Sequence, residues 1–102
     1  MEVKDLRFFV AVYEAKNFAQ ASAALHTVQS NVSAHIRKLE DFLGVALFER
    51  HRRGAIPTEK GERLYRYAKK VIALVDEAAD SVQGRGAASL KPDKSTLTPF
   101  MR

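Results

Sequence analysis

The sequence predicts a mainly helical domain: three helices, a small β-hairpin and a long fourth helix. Three observations point there. Apolar residues recur at helical spacing in separate stretches up to residue 43. Between Gly44 and Thr58 that period is lost, and a short apolar run meets a basic, glycine-containing turn. From Thr58 onward a seam of apolar residues returns, spaced alternately by four and by three.

The first helix is predicted from Asp5 to about Ala15, because Leu6, Phe9, Val10 and Tyr13 follow helical spacing. Phe8 falls off that stripe; it either touches another helix or a partner subunit or, the preferred expectation, sits half exposed. Lys16 and Asn17 break the pattern, and Asn17 is placed to cap the next segment. Phe18, Ala21, Leu25 and either Ala24 or Ser22 make the inner face of a short second helix. Its alanines let neighbouring helices come close. His26-Thr27-Val28 is a tight connection into a third helix, with Thr27 as expected N-cap and Gly44 as the stop. Val32, Ile36, Leu39 and Leu43 form one apolar stripe along it.

The opposite side of this third helix carries the chemistry. Gln29, Ser30, Asn31, Ser33, Ala34, Arg37 and Lys38 lie largely off the stripe. Its first exposed turn is short, uncharged and rich in amide and hydroxyl groups; the later turns are basic. Small polar groups can approach base edges, and cations behind them can meet phosphates, which suits a helix entering a DNA major groove. An ordinary amphipathic helix with a polar solvent face shows the same pattern, so the flanking elements decide. Two short helices, a brief turn and a polar-faced second member make a helix-turn-helix.

After Gly44, Leu47 and Phe48 are too apolar to expose. His51-Arg52-Arg53-Gly54 is a basic turn, and Ala55-Ile56-Pro57 a return arm that Pro57 places at an edge. The hairpin reads as the wing of a winged helix-turn-helix, with Arg50, Arg52 and Arg53 over the duplex backbone or minor groove. Thr58 then caps a helix running to about Val82, with Glu59 and Glu62 near its positive end. Leu64, Ala68, Val71, Val75, Ala78 and Val82 form its seam. Tyr65, Tyr67, Ile72 and Leu74 widen the apolar surface, so the helix is expected to need two neighbours, its own small domain and a second copy of itself. That seam is nearly palindromic, so an antiparallel homodimer would set Leu64 against Val82, Ala68 against Ala78 and Val71 against Val75. The predicted divisions are a winged domain over 1–58, a dimerising linker helix over 59–83 and a flexible tail over 84–102.

Net charge is +5, and acids balance bases both over residues 1–33 and over residues 71–102. The excess therefore lies between Ala34 and Lys70, a local patch of the kind that draws a polyanion. There is no cysteine, hence no disulfide scaffold and no thiolate metal site. His26, His35 and His51 lack metal-ligand spacing, and no nucleophile has an adjacent base. No metal, cofactor or enzymatic activity is expected. His35 is expected to be a plain surface residue of the third helix, with a phosphate or base contact as the alternative, and Glu40-Asp41 a solvated or structural pair. No apolar run approaches membrane-spanning length, and a cytoplasmic location is the expectation.

The pattern resembles the DNA-binding region of the LysR-type transcriptional regulators. The resemblance is carried by Leu6-x-x-Phe9, Asn17-Phe18, Ala21, Leu25, Gln29-Ser30-x-Val32-Ser33-x-x-Ile36-x-x-Leu39-Glu40, Leu43-Gly44, Leu47-Phe48-x-Arg50, Arg53 and Thr58-x-x-Gly61, and covers roughly residues 1–82. It implies double-stranded DNA as partner, regulation of transcription at interrupted inverted repeats and an antiparallel homodimer through the linker helix, with a tetramer open to a full-length regulator. It implies base contacts from Gln29, Ser30 and Ser33 and a wing contact from Arg53, with Arg50 and the Thr27–Val28 turn nearby. Ala34 stands where the family often has arginine, and Val28 and Ala19 where it has serine or threonine. Lys60 replaces a usual alanine. The family's large effector-sensing domain does not fit in this length, so the chain reads as a DNA-binding fragment or a truncated regulator.

Overall fold

The computed structural model describes residues 1–84, and its elements follow the expected order: α1 (Val3–Ala15), α2 (Phe18–Ala24), α3 (Gln29–Leu43), β1 (Phe48–His51), β2 (Gly54–Pro57) and α4 (Glu59–Gln83). The tail expected over 84–102 falls, beyond Gly84, outside the described residues.

Helix α1 starts two residues before Asp5. Glu2 takes the extended N-cap conformation, and its backbone N–H donates to Asp5 Oδ2 at 3.1 Å. Asp5 is therefore the acceptor that secures the first turn, not the residue that opens it. α1 closes at Lys16, whose backbone is left-handed (φ 56°, ψ 29°). An L-residue pays about 1–2 kcal/mol for that conformation, and glycine does not. Lys16→Gly should therefore raise stability by about 0.5–1 kcal/mol, after allowing for the freer unfolded chain. A thermal melt followed by circular dichroism checks this; a lower melting temperature would refute it.

Asn17 caps α2 as expected, its Oδ1 accepting the Gln20 N–H at 2.8 Å. Ser22, not Ala24, takes the inner position. Its hydroxyl donates to the Ala19 carbonyl at 2.8 Å, so the burial leaves no polar group unsatisfied. At α3 the N-cap is Val28, one residue later than the expected Thr27, and no side chain caps the turn. Thr27 Oγ1 is occupied instead by the Asn31 side-chain amide at 3.0 Å. Gly44 stops α3 in a left-handed conformation, as expected.

The core forms where α1 packs against both α2 and α3 and touches β2. Phe9, Val12, Ala21, Val32, Ile36, Leu39 and Leu47 are fully buried, each large one of them stabilising by about 1.5–3 kcal/mol. Two neighbours give α1 a wider buried face than one stripe. Phe8, expected half exposed, is buried at 8%, its ring centroid 4.2 Å from that of His35.

The hairpin pairs antiparallel, with Phe48 opposite Pro57, Arg50 opposite Ala55 and His51 opposite Gly54, so Arg52-Arg53 alone make the turn. Its base rests on the α1–α2 corner. The Ala55 N–H donates to the Lys16 carbonyl at 3.0 Å, and Gly54 approaches so closely that a Cβ there would lie 2.3 Å from that carbonyl oxygen. Thr58 opens α4, its Oγ1 accepting the Gly61 N–H at 3.0 Å and donating to the Ala46 carbonyl at 2.7 Å.

One compact unit spans Met1–Ile72, past the boundary expected at residue 58. The reason is that the first turns of α4 pack on the core. Leu64, Tyr65 and Ile72 are partly buried there and Ala68 is only 1% exposed. Tyr65 stacks on Tyr13 (3.8 Å between centroids, planes 8° apart). Its hydroxyl donates to Glu14 Oε2 at 2.6 Å, and Lys69 Nζ lies 3.3 Å from the same oxygen. These partners, the Tyr65 hydrogen bond first, hold the Glu14 carboxyl below its ordinary range against the opposing effect of burial. The expected seam is corrected accordingly. Ala68 has no surface left for a partner, and Leu64 is half spent on its own domain. A four-three repeat marks a buried stripe without saying which body buries it. Val71 remains 39% exposed. From Ala73 a second unit begins, whose described residues are the last turns of α4, with Leu74, Val75, Ala78 and Val82 exposed.

Candidate nucleic-acid interface

Helix α3 presents its two sides as its pattern requires. Val32, Ile36 and Leu39 are buried beneath it, while Gln29, Ser30, Ala34 and Arg37 are exposed, and Asn31 and Ser33 are half-buried. The absence of a side-chain cap at Val28 leaves helix-end N–H groups for an external acceptor, at the end where the helix dipole favours negative charge.

The underside of α3 is pinned to α1. His35 Nδ1 lies 2.6 Å from Asp5 Oδ1, and Asp5 is fully buried. Since a carboxylate only accepts, Nδ1 carries the proton and donates. Burial raises the Asp5 carboxyl pKa, but the His35 hydrogen bond, the Glu2 N–H and the Lys38 charge together take it below its ordinary value. His35 is thus not the plain surface histidine expected, but an inward strut between two helices. Lys38 also differs from expectation. Its Nζ lies 3.6 Å from Glu2 and 3.7 Å from Asp5, so its charge is partly spent on α1 rather than held out for phosphate. Glu40 is structural, its Oε2 accepting the Leu47 N–H at 2.8 Å and tying the end of α3 to the approach to the wing.

Four of the predicted site residues meet in one cleft of about 260 Å³: Gln29 and Ser33 from α3, and Arg50 and Arg52 from the wing. The start of α2 forms its third wall through Asn17, Phe18 and Ala19, with His51 and Gly54 completing it. Thr27, Ser30, Asn31, Ala34, Arg37, Lys38 and Arg53 lie outside this cleft lining. Sequence reasoning did not place Asn17, Ala19 or His51 in the site. The α2 start was visible as a capped helix end, but its proximity to the wing follows from the Lys16–Ala55 hydrogen bond, which no local pattern encodes. The cleft joins neutral hydrogen-bonding groups on one wall to guanidinium groups on the other, the pairing that reads base edges and holds phosphates. Among the described residues, no cluster of histidine, aspartate or glutamate could hold a metal ion, and no helix is long and apolar enough to cross a membrane.

The same arrangement of residues defines a known domain. The family profile described as "Bacterial regulatory helix-turn-helix protein, lysR family" matches residues 3–62. The chain belongs to the LysR family. Among LysR-family relatives, it is 42% identical over 84 residues to the HTH-type transcriptional regulator BudR of Klebsiella aerogenes, covering 82% of this chain and 59% of that one. It is 41% identical over 83 residues to the regulator YofA of Bacillus subtilis (strain 168), covering 81% of this chain and 29% of that one. The chain thus spans less than two thirds of the length of these curated relatives. Among solved structures it resembles the CbnR DNA-binding domain in complex with DNA (TM-score 0.79, 34% identity, covering 82% of this chain and 97% of that one). It also resembles the BenM DNA-binding domain bound to benA site 1 DNA (TM-score 0.77, 37% identity, covering 81% and 93%). The mainly α fold with a two-stranded wing is therefore the LysR-type winged helix-turn-helix, the DNA-binding domain of that family, as the sequence predicted.

Proposed function

We propose that this chain binds double-stranded DNA sequence-specifically as the reading head of a LysR-type transcription regulator, and that it does no enzymatic chemistry. The observation that carries this is the cleft, where Gln29 and Ser33 of the recognition helix face the wing arginines. Gln29, Ser30 and Ser33 supply selectivity in the major groove, with Arg37 and the wing behind them. Arg50, Arg52 and Arg53 supply affinity at the backbone or minor groove. The chain acts as a homodimer on an interrupted inverted repeat, in the cytoplasm where its target DNA lies. The exposed apolar residues Val71, Val75, Ala78 and Val82 support pairing through α4, without the Ala68 contact.

Selection of bound duplexes from a random pool tests the reading, since it returns the preferred motif and the half-site spacing together. Gln29→Ala should then lose discrimination at a few base pairs, by about 1–3 kcal/mol for a good bidentate contact. A chain that binds every duplex equally would instead be a non-specific nucleoid-type protein. An unchanged preference in Gln29→Ala would overturn the residue assignment.

A further inference from the structure

The three wing arginines are not held alike. Arg52 and Arg53 form the two-residue tip, and neither makes a hydrogen bond or ion pair among the described residues. Arg50 lies two residues after the buried Phe48, on the same face of β1 and opposite the buried Ala55. Its guanidinium carbon sits 4.4 Å from the centroid of the Phe18 ring. Phe18 meets Phe48 edge-on (6.1 Å, 73°), and Phe48 sits 5.4 Å from the fully buried Phe9. A run of three rings thus leads from the core to one cation at the surface.

We infer that Phe18 is a positioning residue for DNA recognition: its ring face holds the Arg50 guanidinium beside Gln29 and Ser33, so the arginine meets the duplex already oriented. This rests on the DNA-binding reading above. An unanchored arginine loses rotamer freedom when it takes a phosphate; one already stacked loses less. Stacking covers the flat face of the guanidinium and leaves its N–H edge for the phosphate oxygens. A leucine would fill much of the same space but offer no π face.

A double-mutant cycle on the 102-residue chain, read as affinity for the pool-selected duplex, tests this. Phe18→Leu should weaken binding about two- to fivefold, and Phe18→Tyr, which keeps the ring, should bind as the wild type does. In an Arg50→Ala background, Phe18→Leu should cause no further loss. Equal losses in both backgrounds would show that Phe18 serves only the packing, and would overturn the inference. If Phe18→Leu fails to fold, Arg50→Lys takes its place. It keeps the charge but not the stacked guanidinium plane, so it should weaken binding by about the same two- to fivefold, less than Arg50→Ala does, and wild-type affinity there would be equally fatal. If Arg50→Ala itself binds like the wild type with an unchanged salt dependence, the arginine does not touch DNA. The inference then falls while the wider reading still stands on Gln29.

Discussion

Gly61→Ala should destabilise the protein by at least about 3 kcal/mol, lowering the melting temperature by roughly 12–24 °C for a domain of this size. In an exposed helix the same change would stabilise by about 1 kcal/mol, so even its sign is diagnostic. The reversal comes from the seat of α4. A Cβ at Gly61 would lie 2.2 Å from the Leu47 carbonyl oxygen. That neighbour is backbone and cannot swing aside. The same carbonyl accepts the Thr58 N–H at 2.9 Å, and the Leu47 side chain is fully buried. Relieving the clash therefore means breaking a cap contact, shifting a core residue or lifting α4 away. Thermal melts of the two proteins decide the matter. A Gly61→Ala chain that melts at or above the wild-type temperature would mean that α4 does not sit on Leu47.

The second large effect is expected at Asp5. Asp5→Ala removes three things together: the acceptor for the Glu2 N–H, the partner of His35 and one of the two acids facing Lys38. Hydrogen bonds to an ionised group contribute about 1.5–3 kcal/mol. A stranded buried ion would cost more, but Lys38 is half exposed. A loss of about 2–3 kcal/mol follows. The pH dependence fixes the sign. The folded-state pKa of Asp5 is lowered from its ordinary 3.8, so its contribution is fully present above that value. It is lost as pH falls through the lower, folded pKa. Wild type and Asp5→Ala should therefore differ by a constant amount from neutral pH to about pH 5, and converge below about pH 4. Denaturant unfolding across that range checks it. A gap that persists undiminished at pH 2 would show that the Asp5 carboxylate is not what stabilises the junction.

Much of this architecture could be read from local pattern. The α3 stripe of Val32, Ile36 and Leu39, the Asn17 cap, the Gly44 stop and the Arg52-Arg53 turn each follow from spacing or from one residue's conformational preference. What escaped depends on partners remote in the chain. His35 lies three residues after Val32 and four before Leu39, on the inward side by spacing, but its polar partner, the buried Asp5 thirty residues earlier, is encoded by no local pattern. Phe8 is buried because His35 covers it. Lys38 belongs to the basic patch by its place in the sequence, but the acids of α1 beside it offset part of its charge. Ala68 satisfied a heptad as well as any dimer residue does, yet its own core claims it. The N-cap of α3 shifted by one residue because Thr27 spends its hydroxyl on Asn31. In the site itself, the exposed start of α3 and the wing arginines were legible, whereas the wall supplied by α2 was not, since it depends on where the hairpin root lands.

That root and the tip of the wing live under opposite constraints. Gly54 and Ala55 are moored to the Lys16 carbonyl with no room for a larger atom at Gly54, while the two arginines beyond them overhang. Exchanging or lengthening the tip leaves the scaffold untouched; any change at the mooring becomes a folding problem before it becomes a binding one. Grafting a relative's tip onto this hairpin should therefore transplant that relative's contacts alone.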